Sequence, residues 1–229
     1  VRSGDVIPKI TKVLTSLRDG SEKAISNITN CPNCNGIIKK DGVLLKCINN
    51  DCSSRVLASL IHFCSRTALN ITGLGERIIE IFLDNHILTD VLSIFHLADK
   101  KQDILQLEGF KEKRIDNILK SIEQSKNITL DKFIYSLGID GIGLVSAKRI
   151  AEVFGKDFAN ISFEELDKLD GFGEKLAISY IEFIQTNKEL VSELQNIINP
   201  VMLEQKINTN SLFNEETIVI TGVFSIPRD

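Results

Sequence analysis

Four cysteines carry the clearest chemistry in this chain. Two residues stand between Cys31 and Cys34, four between Cys47 and Cys52, and twelve between the pairs. Each pair can bite one ion from a tight turn, and the intervening residues suffice for a hairpin that brings the pairs together. Four thiolates complete a tetrahedral Zn2+ site with no open position for a reacting water, so the implied chemistry is structural. A loop this polar buries little apolar surface, and the ion would supply its folding free energy. The alternative is a degenerate finger of four free thiols, which this spacing disfavours. Cys64 lies in the apolar helical stretch LASLIHFCSR and reads as a buried thiol. His62 stands nearby, but a completed four-sulfur site has no need of it.

The second constellation is a repeat. Gly73, Gly109, Gly141 and Gly171 each follow an apolar residue by two positions: Ile71, Leu107, Ile139 and Leu169. Each is followed directly by another apolar residue: Leu74, Phe110, Ile142 and Phe172. A second glycine comes next in three copies, Gly75, Gly143 and Gly173, while the second copy has Lys111. Four positions after the first glycine stand Arg77, Lys113, Val145 and Lys175; the third copy carries Lys148 and Arg149 one turn later. Two glycines permit positive φ and close backbone approach. If a helix starts just after them, its unpaired amides and positive dipole end face outward and can receive a phosphate oxygen. The candidate phosphate-binding residues are therefore Gly73, Gly75, Arg77, Lys113, Gly141, Gly143, Lys148, Gly171, Gly173 and Lys175. A single copy would read as an ordinary interhelical turn, but four in register point to stacked units with a shared task. The second copy is the weakest match, and packing could explain its bend.

The elements that hold these bends follow from periodicity. Offsets of six, nine, ten and thirteen from each first glycine fall on one helical face, and fifteen of those sixteen residues are apolar or Tyr, His86 being the exception. From Val56 to about Ile198 the chain reads as short helices, and Ser162 with Glu165 forms a capping box. Residues 1–16 read as strand, the tail of a preceding unit. Residues 199–216 read as a linker, and Thr217-Ile218-Val219-Ile220-Thr221-Gly222 as the strand that opens another domain. The fold class expected is mainly α: a tandem helix-hairpin-helix bundle preceded by a small four-Cys zinc finger, with short β segments at both ends. Starting at Val1 rather than Met, the chain reads as a piece of a longer protein.

Composition limits the possible functions. No apolar run approaches the roughly 18 residues of a membrane span, and the five cysteines suit a reducing cytoplasm better than a disulfide framework. The net charge of −4 hides an asymmetry: residues 1–66 carry +5, residues 67–200 carry −7 and residues 201–229 carry −2. If the repeat binds nucleic acid, it cannot do so by bulk attraction; local donors must meet the phosphates, positioning a duplex without reading its sequence.

The repeated units resemble helix-hairpin-helix motifs. A four-sulfur segment followed by four of them resembles the C-terminal half of bacterial NAD-dependent DNA ligases. His62-Phe63-Cys64-Ser65-Arg66 with Ile71-Thr72-Gly73-Leu74-Gly75-Glu76 resembles that family's junction between zinc finger and first hairpin. Gly4-Asp5-Val6-Ile7-Pro8 resembles the end of its OB-fold, and Thr221-Gly222 with Arg228 the opening of its BRCT domain. The resemblance implies an OB-fold remnant over 1–28, a zinc finger over 29–57, four hairpins over 58–200, a linker over 201–216 and a truncated BRCT start over 217–229. It also implies a cytoplasmic, monomeric enzyme that seals nicked double-stranded DNA in replication and repair, using NAD and Mg2+ through an adenylation domain not present here. No membrane is involved.

Two stretches mimic that family's Lys-x-Asp-Gly nucleophile motif: Lys39-Lys40-Asp41-Gly42 and Lys168-Leu169-Asp170-Gly171. The first falls at the expected tip of the zinc hairpin, where Asp-Gly makes a turn. The second ends a helix and opens the fourth hairpin. A nucleophilic lysine needs a pocket that lowers its pKa, and neither context offers one, so no catalytic residue is expected here. Two other readings remain open. One is an accessory DNA-binding region of a repair nuclease or helicase. The other is a protein-interaction module, which the negative charge of 67–200 favours.

Overall fold

A computed structural model describes residues 11–23, 28–42 and 44–202. The chain divides into two compact units, one reaching Arg55 and one starting at Val56.

In the first unit, Ile38–Asp41 (β1) pairs antiparallel with Leu44–Cys47 (β2), Ile38 opposite Cys47 and Asp41 opposite Leu44. The hairpin turns at Asp41-Gly42, with Gly42 at φ +60°, as an Asp-Gly turn requires. The strand expected over residues 1–16 is not borne out where it can be seen: residues 11–14 are irregular and Thr15–Leu17 is a short 3-10 turn. Val13, Leu14 and Leu17 are exposed, and no strand pairs with them among the described residues. A strand needs a hydrogen-bonded neighbour, and alternation of residue types cannot supply one. The rest of the expected OB-fold end, residues 1–10, lies outside the described residues, as do residues 203–216 of the linker and the strand at 217–222.

The second unit is helical. The main helices are α1 (Ser53–Cys64), whose first three residues belong to the first unit, α2 (Glu76–Asp84), α3 (Lys101–Leu105), α4 (Glu112–Ser125), α5 (Leu130–Ser136), α6 (Leu144–Phe154), α7 (Phe163–Asp167), α8 (Glu174–Thr186) and α9 (Lys188–Ile198). Two 3-10 segments, Ser93–Lys100 and Gly155–Asn160, precede α3 and follow α6. The predicted face becomes the core. At offset six, Ile79, Ile115, Ala147 and Ala177 are all buried; at offset nine, so are Phe82, Ile118, Ile150 and Tyr180. Burial of each Ile or Phe side chain among them contributes about 1.5–3 kcal/mol. Tyr180 satisfies its one polar group by donating its hydroxyl to the Phe158 carbonyl at 2.9 Å, and burial pushes its pKa well above the usual value. His86 breaks the pattern because α2 ends at Asp84, leaving His86 exposed with φ +56°.

The capping box at the start of α7 is formed: Ser162 Oγ accepts the Glu165 N–H at 3.3 Å, and Glu165 accepts the Ser162 N–H at 2.9 Å. Val201, read as the first linker residue, is instead held. Leu130 N–H donates to its carbonyl at 2.8 Å, and its own N–H donates to the Ile128 carbonyl at 3.0 Å. Asn199, in a left-handed conformation with φ +47°, turns the chain out of α9. Among the described residues, no helix is long and apolar enough to cross a membrane.

Candidate metal centre and nucleic-acid interface

The four cysteines converge. All four sulfurs lie within 4.8 Å of one another, with Cys31 Sγ 3.9 Å from Cys52 Sγ and Cys34 Sγ 3.6 Å from Cys47 Sγ. A tetrahedron of thiolates about 2.3 Å from a zinc ion has edges of about 3.8 Å, so the cluster has the size of such a site. The backbone builds the first half of the cage. Asn35 N–H donates to the Cys31 carbonyl and Cys31 N–H to the Gly36 carbonyl, each at 2.8 Å. Asn35 takes φ +56° to close this turn, and Gly36 N–H donates to Cys34 Sγ at 3.4 Å. On the other side, Asn33 bridges Cys52 Sγ and Ser53 Oγ, at 3.7 and 2.7 Å.

These hydrogen bonds tune the thiols. The Asn33 side chain, outweighing burial, brings Cys52 down to about 6. At Cys47 the Asn49 backbone pulls downward, but desolvation and the thiols of Cys34, Cys31 and Cys52 prevail and raise it to about 11. Four close thiols resist ionising together until a cation balances them, so the donor set is one that can hold a metal ion. Asn33 and Gly36 went unread in the sequence; the Asn between Cys31 and Cys34 was their only signal. Cys64 is buried, and burial pushes it up to about 12. His62 Nε2 sits 2.8 Å from the Tyr135 carbonyl, its ring edge-on to the Tyr135 ring with centroids 4.7 Å apart; it helps hold the helical unit together.

The four bends share one geometry. The residue after the first glycine donates its N–H to the apolar residue two positions before that glycine. These bonds are Leu74 to Ile71 (3.3 Å), Phe110 to Leu107 (3.2 Å), Ile142 to Ile139 (3.0 Å) and Phe172 to Leu169 (2.9 Å). The first glycine takes positive φ in every copy, +97° at Gly73 and +82° at the other three, as the third position of a type II turn demands. Two positions after it, Gly75, Lys111, Gly143 or Gly173 is extended and caps α2, α4, α6 or α8 with no side-chain cap. Leu74, Phe110 and Ile142 are buried and Phe172 half-buried, anchoring each bend while its glycines stay exposed. Among the described residues, the N–H groups of Gly73, Gly75, Gly141, Gly143, Gly171 and Gly173 meet no protein acceptor.

The cations differ from copy to copy. Arg77, Lys113 and Lys175 are exposed on the first turns of α2, α4 and α8. Lys148 lies within 3.8 Å of Glu152 on α6, an exposed contact of small weight. The second bend departs most from the others. Arg114 lays its guanidinium 4.6 Å over the Phe110 ring and donates to the Gly109 carbonyl at 3.1 Å, so a side chain of the bundle already covers this bend. Arg114 stands one position after Lys113, outside the repeat's spacing of cations. Two grooves lie beside bends. One groove of 580 Å³ lies between α2 and the second bend, with Arg77, Gly109, Phe110 and Arg114 on its walls. Another of 380 Å³ lies between α6 and the fourth bend, with Val145, Lys148, Arg149 and Gly171 on its walls. Lys39 is exposed on β1 and Lys168 is exposed at the end of α7.

Residues 133–186, which span the third and fourth bends, match a family of SAM-like helix-hairpin-helix tandems. Over its full length the chain is similar to proteins named DNA ligase. It is 45% identical to that of Aliarcobacter butzleri over 228 residues, 45% to that of Campylobacter fetus subsp. fetus over 229, and 44% to that of Campylobacter jejuni subsp. jejuni over 229. In each case the match covers all of this chain and 35% of the relative, in its C-terminal part.

Proposed function

We propose that this chain is the duplex-gripping portion of a DNA ligase that seals single-strand nicks in replication and repair. The observation that carries this reading is the second glycine of the first, third and fourth bends. Gly75, Gly143 and Gly173 have negative φ, which any residue adopts. A side chain added at any of them would meet nothing within 4 Å. Neither φ nor internal packing therefore requires glycine there, and as a helix cap Ser, Asp or Asn would serve at least as well. A partner that must come close to the chain from outside would ask for it, and N–H groups on exposed residues with no protein acceptor suit phosphate oxygens.

Arg77, Lys113, Lys148 and Lys175 add charge around these sockets, so a net-negative unit can still hold a polyanion locally. Backbone-to-phosphate contacts position a duplex regardless of sequence, which is what an enzyme acting on any nick needs. Cys31, Cys34, Cys47 and Cys52 would hold Zn2+ as a closed structural ion. The relatives' length leaves room for NAD- and Mg2+-dependent adenylation outside these residues, and the chain by itself is inactive in this reading. The same reading makes the parent enzyme a cytoplasmic monomer. The domain limits given above belong to it as well: OB-fold end over 1–28, finger over 29–57, hairpins over 58–200, linker over 201–216 and BRCT start over 217–229.

The test is binding of a labelled nicked duplex to the full 229-residue chain across a salt series. Weak binding that falls as salt rises is expected. The rival is a protein-interaction module, favoured by the −7 charge of residues 67–200. Absence of binding even at low salt would turn the choice to that module.

A further inference from the structure

The four bends align as equals along the chain, but tertiary contacts join them two by two. Thr72, the residue before Gly73, donates its N–H to Ser121 Oγ on α4 at 2.7 Å. Asp140, the residue before Gly141, accepts the Ser179 hydroxyl of α8 on its carbonyl at 2.8 Å. The glycines beside them rest on the same two helices. A Cβ at Gly73 would come within 2.8 Å of Ile118 Cγ1, and one at Gly141 within 2.5 Å of Leu176 Cδ2. Ile118 and Ser121 are three residues apart, as are Leu176 and Ser179, so each pair projects from one helical face.

On α4 the pair stands nine and twelve residues after its own first glycine; on α8 it stands five and eight after. The same device is thus shifted by about one helical turn. In both places an apolar side chain seats the preceding bend and a serine hydroxyl pins it.

We infer that Ser121 and Ser179 are positioning residues that lock the hairpins into two gripping pairs, the first with the second and the third with the fourth. Each pair then presents its two bends at a set spacing to a nucleic-acid backbone. This rests on the duplex-binding reading above. Thr72 and Asp140 are exposed, so water can replace either lost hydrogen bond. The serines therefore matter more for where the bend sits than for whether the unit folds.

Ser121→Ala, Ser179→Ala and Ser179→Thr in the full chain test this, with two readouts. The first is amide hydrogen exchange, without DNA, at the bonded amides of the two bends: Thr72 and Leu74 in one, Ile142 in the other. The second is affinity for a nicked duplex across a salt series. Each alanine variant is expected to speed exchange at its own bend alone, leave the thermal midpoint unchanged and weaken binding roughly fivefold. Ser179→Thr keeps the hydroxyl and is expected to restore both readouts. Unchanged exchange overturns the pairing. Faster exchange with unchanged affinity overturns its role in gripping. Faster exchange in a chain that binds no duplex even unmutated leaves the pairing standing and removes the duplex-binding reading.

Discussion

Replacing Gly143 by alanine separates what the fold needs from what a ligand needs. Gly143 sits at φ −87° and ψ −178°, caps α6 and has open space around its would-be Cβ. Two small terms act on stability in opposite directions. Alanine restricts the unfolded chain and stabilises by about 0.4–1 kcal/mol. It is also a poorer helix cap than glycine, which costs a similar amount. The net is expected within about 0.5 kcal/mol, a shift in thermal midpoint under about 2 °C for a domain of this size. Binding should respond differently. A methyl group at this position holds a phosphate away from the amides, and losing a hydrogen bond to a charged group costs about 1.5–3 kcal/mol, or roughly ten- to a hundredfold in affinity. Gly141→Ala is the opposite control. Its φ of +82° and the Leu176 contact add about 1–2 kcal/mol of backbone strain to about 1–3 kcal/mol of overpacking, lowering the midpoint by roughly 10 °C. Thermal unfolding and fluorescence anisotropy on a nicked duplex measure both. If Gly143→Ala, Gly75→Ala and Gly173→Ala all bind like the parent chain, nothing approaches those positions and the reasoning fails.

Other consequences follow from the same geometry. Arg77→Ala and Lys113→Ala should each weaken binding and flatten the slope of log affinity against log salt by about 0.9; an unchanged slope in either variant would remove that cation from the interface. Stripping the metal with a chelator, or changing Cys34 to Ser, should loosen residues 31–52 while most helical circular dichroism survives, because the helical unit has its own core; loss of most helix would contradict this. The Ser162 backbone N–H, then its hydroxyl, holds Glu165 below its ordinary value of 4.5. The stability this adds is full above that value and fades as pH falls through the lowered one, so Glu165→Gln should flatten the acid limb of the stability curve; an unchanged limb would show that the box contributes nothing. Incubated with NAD and Mg2+, the chain should take up no adenylate; labelling lost on changing Lys39 or Lys168 would overturn the assignment of adenylation to another part of the enzyme.

Much of the site was legible in the residues alone. The cysteine spacing announced a closed four-sulfur cluster, since short loops leave few ways to place four thiols. The glycine repeat announced four bends before four helices, because positive φ and an apolar anchor are local demands written at fixed offsets. The interior face at offsets six and nine was equally plain. Other features depended on partners distant in sequence. Residues 11–17 have strand-like types but no paired neighbour. Val201 reads as linker until Ile128 and Leu130 take its backbone bonds. Arg114 is different: its partners Phe110 and Gly109 lie four and five residues back, within reach of a local reading.

The sequence by itself determined where the chain bends, which face of each helix is apolar and which four sulfurs gather, because each is set by neighbours within a turn or a hairpin. Only the tertiary structure decided that the glycines of the bends stay exposed and that Ser121 and Ser179 pin the hairpins in pairs. Those outcomes depend on contacts up to 49 residues apart. Such contacts form where one helix happens to cross another, at offsets that differ between copies, so no repeat along the chain reveals them.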